Sequence, residues 1–347
     1  MQIQEAISRV TRGESLRREE ARAMMGQLLT GGVSEDETVA LLVALREKGE
    51  QASEIIGFAE VMRAQAQEVL RGSGVDSSAL AAEPLLDTCG TGGDGRGTFN
   101  VSTAAALVAA GAGVRVAKHG NRSISSRAGS ADVLEALGVE IHLPLEQIPA
   151  CLDKVGMVFL FAPHLHLAMK HVMPARRRIK SKTVFNLLGP LTNPLGASVQ
   201  LAGVYDSART EMMAEALGAV GTRRALVVAG SDGLDEITTS GPTKLSDYNA
   251  HAVKTREILP EDFGLPRAAA ESLAGGDAAE NARLLWRVLE GETGPARDCV
   301  LANAAAALVA AEKAGEWTAG VAMAAEAIDS GAARHVLNRL VEFTRRR

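Results

Sequence analysis

The sequence predicts an α/β protein: a mostly parallel central sheet flanked by helices, with a small all-α domain at its N-terminal end. Three observations carry that reading. From residue 84 onward, short apolar runs suited to strands buried on both faces alternate with helical stretches, the pattern of a parallel sheet covered by helices. Residues 2–72 show helical periodicity and no strand-like run. With 347 residues, 46% of them hydrophobic and 23% charged, the chain can bury a large core and is long enough to divide in two. We set the boundaries at 1–74, joined by the segment 165–190, for the helical domain and at 75–347 for the large α/β domain.

Taken in order, Ser34-x-x-Glu37 is a capping box that starts a helix, and Gly49 stops it. Ser53 is the expected cap of the next helix, whose Ile55, Ile56, Phe58, Ala59 and Met62 make an apolar face. No chemistry is evident here. Such short amphipathic helices need a surface to pack on, either the main domain or a second copy of the chain. Gly72-Ser73-Gly74 and the Ala-rich stretch up to Pro84 form a linker. Expected strands are 85–89, 114–117, Met157–Phe161, 199–204 and 225–229, with helices such as 131–137 and 209–220 between them. The tail beyond residue 277 is helical, and its Ala-rich run 304–311 belongs to the core.

Function concentrates in residues 87–138. Gly90, Gly92, Gly93, Gly95 and Gly97 surround Asp94, between an apolar strand and a helix opened by Ser102 and Thr103. Strand, glycine loop and helix N-terminus together hold phosphate, because unpaired N–H groups and the helix dipole both face the anion. Gly90-x-Gly92-x-x-Gly95 formally fits a dinucleotide fingerprint, but Arg115 stands where the ribose-binding acid is needed. A Walker loop fails too, since Arg96-Gly97 replaces Lys-Ser/Thr. A second polar, basic loop runs from Lys118 through His119, Asn121, Arg122, Ser123, Ser125, Ser126 and Arg127 to Ser130, at the end of a neighbouring strand. Two anion loops imply a ligand with two separated phosphate groups; taken alone, the second loop also reads as a solvated Ser/Arg segment.

Composition narrows the partners. A net charge of -5 argues against a general nucleic-acid surface, so an anionic small molecule must be held by a local basic site. Three cysteines without CxxC spacing give no support to disulfides or zinc and fit a reducing cytoplasm. The N-terminal residues carry charges where a signal peptide needs its apolar core, and no apolar run has the length of a membrane span. A cytoplasmic protein with no membrane partner is expected.

Two further stretches stand out. His164, His166 and His171 lie close together ahead of Arg176, Arg177 and Arg178, yet no carboxylate or cysteine sits at ligand spacing, so a metal site is disfavoured. The loop 230–236 ends in Asp235-Glu236 after a strand. Such a pair is usually solvated; beside a phosphate site its hard oxygens suit Mg2+.

Together these residues resemble the anthranilate phosphoribosyltransferase family: GTGGDG at 90–95, NxST at 100–103, KHGNR at 118–122, HxxMKH at 166–171, FNLLGPLTNP at 185–194 and GLDE at 233–236, in order over nearly the whole chain. The resemblance implies a nucleoside phosphorylase-like phosphoribosyltransferase fold and a homodimer formed through the helical domain. It implies transfer of phosphoribose from 5-phosphoribosyl 1-pyrophosphate (PRPP) to the amino group of anthranilate, a step of tryptophan biosynthesis. PRPP would be bound by Gly90, Gly93, Asp94, Thr98, Asn100, Ser102, Thr103, Lys118, Asn121, Arg122, Ser123, Ser125, Ser126 and Ser130. Anthranilate would meet Gly90, Asn121, His166 and Arg176, whose guanidinium suits a planar carboxylate. Mg2+ would be held by Ser102, Asp235 and Glu236. No strong acid or base is assigned, because an aniline nitrogen is already neutral at pH 7. Leu167 replaces a proline usual in the family and Lys180 a common glycine, which bears on pocket shape. A pyrimidine nucleoside phosphorylase would need no carboxylate-binding arginine, and the NxST, KHGNR and GLDE sequences count against it. A non-catalytic phosphoribosyl-ligand or nucleic-acid-binding relative would lack the acidic pair or carry a strongly basic surface.

Overall fold

Seven strands form one sheet in the order β3-β2-β1-β4-β5-β6-β7 in the computed structural model, which describes residues 1–80, 83–123, 127–250 and 252–346. They are β1 (Leu86–Gly90), β2 (Val116–Gly120), β3 (Met157–Phe161), β4 (Val199–Gly203), β5 (Arg224–Gly230), β6 (Thr243–Asn249) and β7 (Ala252–Ile258). The first five pair in parallel; β6 and β7 add an antiparallel ribbon at one edge. Alternation along each strand divides the apolar residues between two cores. On β5, Leu226 and Val228 join one and Ala225, Val227 and Ala229 the other. The first core is closed by the Ala-rich helices Val101–Gly111 and Pro295–Ala310.

The second core holds the N-terminal helices α1 (Ile3–Thr11), α2 (Arg18–Leu29), α3 (Glu35–Lys48) and α4 (Ala52–Gly72). It runs without a break through Val172, Val184, Phe185, Leu187, Leu188 and Leu191 to the sheet face and the helix Thr210–Ala219. Ser34 and Glu37 close the capping box of α3, Ser34 N–H donating to Glu37 Oε2 at 3.0 Å, and Gly49 takes φ 85° beyond its end. Ser53 does not cap α4. The helix begins at Ala52, and the Ser53 hydroxyl donates to Leu16 O at 2.9 Å, tying α4 to the loop before α2.

One strand expectation needs correction, and one part of the sheet has no counterpart among the expected strands. The second strand begins at Val116, not at residue 114, because Val114 N–H donates to Ala109 O at 3.1 Å and so closes the end of the preceding helix. The β6–β7 ribbon was not anticipated, because β7 is polar and mostly exposed, as an edge strand with one wet face is. Lys180 sits at φ 53° in the left-handed cap of the helix Met173–Ile179, the conformation in which glycine carries no Cβ penalty.

Candidate active site

A cleft of about 320 Å³ opens at the C-terminal ends of β1 and β2. Its floor is the glycine loop, where Gly92 and Gly93 take φ 64° and 71°, values a side chain resists. The acidic loop closes over it. Gly92 N–H donates to Asp235 Oδ2 at 2.8 Å, and Ser102 N–H, at the start of the helix Val101–Gly111, donates to Glu236 Oε1 at 3.0 Å. This approach needs Gly203 at the end of β4, since any Cβ there would run into the Asp235 backbone carbonyl. Burial, and then the neighbouring Asp94 carboxylate, push the Asp235 carboxyl up to about 7. Burial followed by Asp235 raises Glu236 well above the usual carboxylate range. These are hard-oxygen groups crowded together with their charge unfavourable until a cation arrives, which fits Mg2+. Among the described residues no three carboxylate, imidazole or thiol side chains form a metal-holding group. Mg2+ needs only one or two carboxylates and completes its octahedron with water and phosphate.

Of the residues expected at the phosphates, Gly90, Gly93, Asp94, Thr98, Asn100, Ser102, Lys118, Asn121, Arg122, Ser123 and Ser130 line this cleft. Ser125 and Ser126 lie outside the described residues. The Thr103 hydroxyl is buried away from the cleft. Lys118 is turned inward: its Nζ donates to Thr88 O and, at 3.3 Å, to Ser102 Oγ, and burial lowers its pKa. The Arg122 guanidinium is engaged by Asp132 and Glu135 and lies over the Phe161 ring, so it braces the second loop from outside. Asp132 closes that loop by accepting from Ser123 N–H at 3.0 Å and Gly129 N–H at 2.8 Å. The two loops are joined by Asn100, whose Nδ2 donates to Ala128 O at 3.3 Å.

From the segment 165–190, Arg176, Phe185, Asn186 and Gly189 complete the wall. The Arg176 guanidinium lies 5.3 Å from the centre of the Phe185 ring, lowered in pKa by burial, and has no carboxylate partner among the described residues. Arg177 and Arg178 are exposed, Arg178 pairing with Asp36 at 2.6 Å. His166 stands behind the lining residue His119, their ring centres 5.2 Å apart, and reaches the cleft only through it. Burial first, and for His119 then His166, pushes the two rings down to about 3 and about 4, so both are neutral at working pH. His171 packs on Gly31 next to the end of α2, and Leu167 is 56% exposed; neither lines the cleft.

Residues 82–334 match the glycosyl transferase family a/b domain, and residues 4–66 match that family's helical bundle domain. The anthranilate phosphoribosyltransferase of Symbiobacterium thermophilum is 51% identical over 98% of this chain and 97% of its own length. This chain belongs to the anthranilate phosphoribosyltransferase family. Solved structures of the family agree. The enzyme from Thermus thermophilus superimposes with a TM-score of 0.87 at 44% identity, covering 98% of this chain and 99% of that one. The Saccharomyces cerevisiae enzyme in complex with PRPP and Mg does so with a TM-score of 0.86 at 28% identity, covering 99% and 97%.

Some residues that build this family site carry no local signal. Asn193 donates its Nδ2 to Asp87 Oδ2 and to Ala117 O, both at 2.8 Å, stitching the FNLLGPLTNP stretch to β1 and β2. Asn281, far along the chain, donates to Asn100 Oδ1 at 3.0 Å and orients it between the loops. Asn193 lies inside the FNLLGPLTNP motif without any sign of its partners, and Asn281 lies in no motif at all.

Proposed function

We propose that this chain transfers phosphoribose from PRPP to the amino group of anthranilate, releasing pyrophosphate. The observation that carries the reading is the make-up of one cleft: an anion loop, two buried carboxyls held by the N–H groups of Gly92 and Ser102, and on the facing wall a guanidinium, Arg176, with no carboxylate partner among the described residues. The glycine-loop N–H groups and the N-terminus of the helix Val101–Gly111 receive the pyrophosphate. Asn121, Ser123, Ser130 and the remainder of the second loop hold the 5-phosphate and ribose, with Lys118 and Arg122 supporting them from behind. Asp235, Glu236 and Ser102 would hold Mg2+, which would supply charge stabilisation for the departing pyrophosphate. Arg176 grips the acceptor carboxylate, and Gly90, Asn121 and the neutral His119, backed by His166, set the amine against the anomeric carbon. Substrate-dependent pyrophosphate release tests the reading. Release that needs both PRPP and anthranilate and stops with EDTA is expected; release without anthranilate overturns the acceptor.

Mg2+ must displace protons from the raised acids. Its affinity, measured by titration calorimetry with Mg2+ alone, is expected to rise about tenfold or more per pH unit between pH 5.5 and 7, where Asp235 ionises. A flat profile there removes Asp235 from the metal.

The remaining readings rest on lighter support. The division near residue 75 is supported by the separate family matches at 4–66 and 82–334, and the joining of 165–190 to the helical part by Val172, Val184, Phe185, Leu187 and Leu188, which share a core with the N-terminal helices. Association of two copies through the helical domain is supported by the family pattern and by Ile7, Val33, Ile56 and Val61, which the single chain leaves only partly buried. A solution mass twice the 36.3 kDa of one chain is expected, and a mass of one chain contradicts it. Cytoplasmic residence is supported by three free, buried cysteines. No helix of the described residues is long and apolar enough to cross a membrane.

A further inference from the structure

Between Arg176 and Phe185, both on the cleft wall, the chain carries Lys182, which itself stands outside the cleft lining. Its ammonium is half-buried, 3.3 Å from the centre of the Tyr205 ring. Tyr205 follows β4 and belongs to the glycine-loop scaffold: its N–H donates to Thr91 Oγ1 at 3.2 Å, and Thr91 N–H donates to Gly203 O at 2.9 Å. Asp94, Asp235 and Asp206 all act on the Lys182 charge, yet none of them forms an ion pair with it among the described residues. Burial outweighs their attraction and lowers its pKa. A lysine held this way is a partly desolvated cation with no hydrogen-bond acceptor among the described residues, since the face of an aromatic ring attracts charge and accepts no strong hydrogen bond.

We propose that Lys182 is a further pyrophosphate-binding residue, donating from the side of the segment 165–190 to the anion that the glycine loop holds from the other. This rests on the functional reading above and adds a contact to it. The ring of Tyr205, whose own N–H is bonded to Thr91 of the loop, holds the ammonium, so binding exchanges a cation–π contact for charge-assisted hydrogen bonds. Lys182 lies six residues after Arg176 in the same segment, so one short stretch carries a cation for each substrate.

The test is titration calorimetry of magnesium pyrophosphate into the full chain and into Lys182→Met and Lys182→Arg, alongside steady-state kinetics. Loss of one charge-assisted contact is expected to weaken magnesium pyrophosphate binding about tenfold or more in Lys182→Met and to raise KM for PRPP similarly. KM for anthranilate is expected to hold, and Lys182→Arg to restore binding to within about threefold. A merely structural role would move both KM values and the melting temperature together, and that pattern overturns the proposal. Unchanged binding by Lys182→Met in a wild type that binds overturns the role of Lys182 alone. A wild type that binds neither magnesium pyrophosphate nor PRPP sinks the functional reading and this contact with it.

Discussion

Asp235→Asn is expected to abolish turnover, lowering kcat/KM by about a thousandfold or more, while leaving a protein that is no less stable. The first half follows from losing a ligand charge where leaving-group charge is the main obstacle, a contribution of several kcal/mol in metal-assisted displacement. The second half follows from the titration. The folded Asp235 carboxyl lies at about 7 against an ordinary 3.8, chiefly because it is buried. Between those values the unfolded chain gives up its proton and the folded one keeps it, so ligand-free stability falls as pH rises and the full cost is present above pH 7. That cost is about 4 kcal/mol, and removing the charge removes it. At pH 8 without Mg2+, the variant should therefore melt a few degrees above the wild type, and the difference should vanish near pH 4. Thermal melts at the two pH values check it. An Asp235→Asn variant that melts lower at pH 8 would mean that the carboxylate acts as a structural acceptor for Gly92 N–H.

The second large effect is at Arg176. Its guanidinium is partly desolvated, stacked on Phe185 and without a carboxylate partner among the described residues, so an incoming carboxylate meets a cation already stripped of much of its water. A charge-assisted, two-pronged contact contributes about 1.5–3 kcal/mol, so Arg176→Ala should raise KM for anthranilate by about 10- to 150-fold. The value of kcat should change much less, since the same carboxylate is bound in ground and transition states. KM for PRPP should stay near that of the wild type. Arg176→Lys should recover only part of the loss, because an ammonium lacks the planar fork. An Arg176→Ala variant with unchanged KM for anthranilate would take this residue out of the acceptor pocket.

These two residues also mark how far the sequence could be read. The apolar run Met157–Phe161 becomes a strand with the boundaries expected, since a strand buried on both faces has few ways to end. The glycine loop and the Asp235-Glu236 pair were legible because their chemistry is local: a backbone that must turn through positive φ, and acids placed at a strand's end. What sequence concealed depends on partners distant in the chain. Lys118 and Arg122 look alike as cations on one loop, yet one is drawn inward by Thr88 and Ser102 and the other outward by Asp132 and Glu135. Ser53 has the composition of a cap and is taken instead by Leu16 O. The β6–β7 ribbon is too polar to announce itself as part of a sheet, because only one of its edges pairs with β5. His166 lies in a motif that points to the acceptor, and the fold sets it one ring behind the wall.

The most direct test of the central reading is the fluorescence of anthranilate mixed with the purified protein, PRPP and Mg2+, with EDTA and donor-free controls. Loss of fluorescence that requires both PRPP and Mg2+, together with a product heavier by one phosphoribosyl group, is the expected result. Persistent fluorescence from folded protein that still binds PRPP would contradict it and would mean that Arg176 faces a different acceptor.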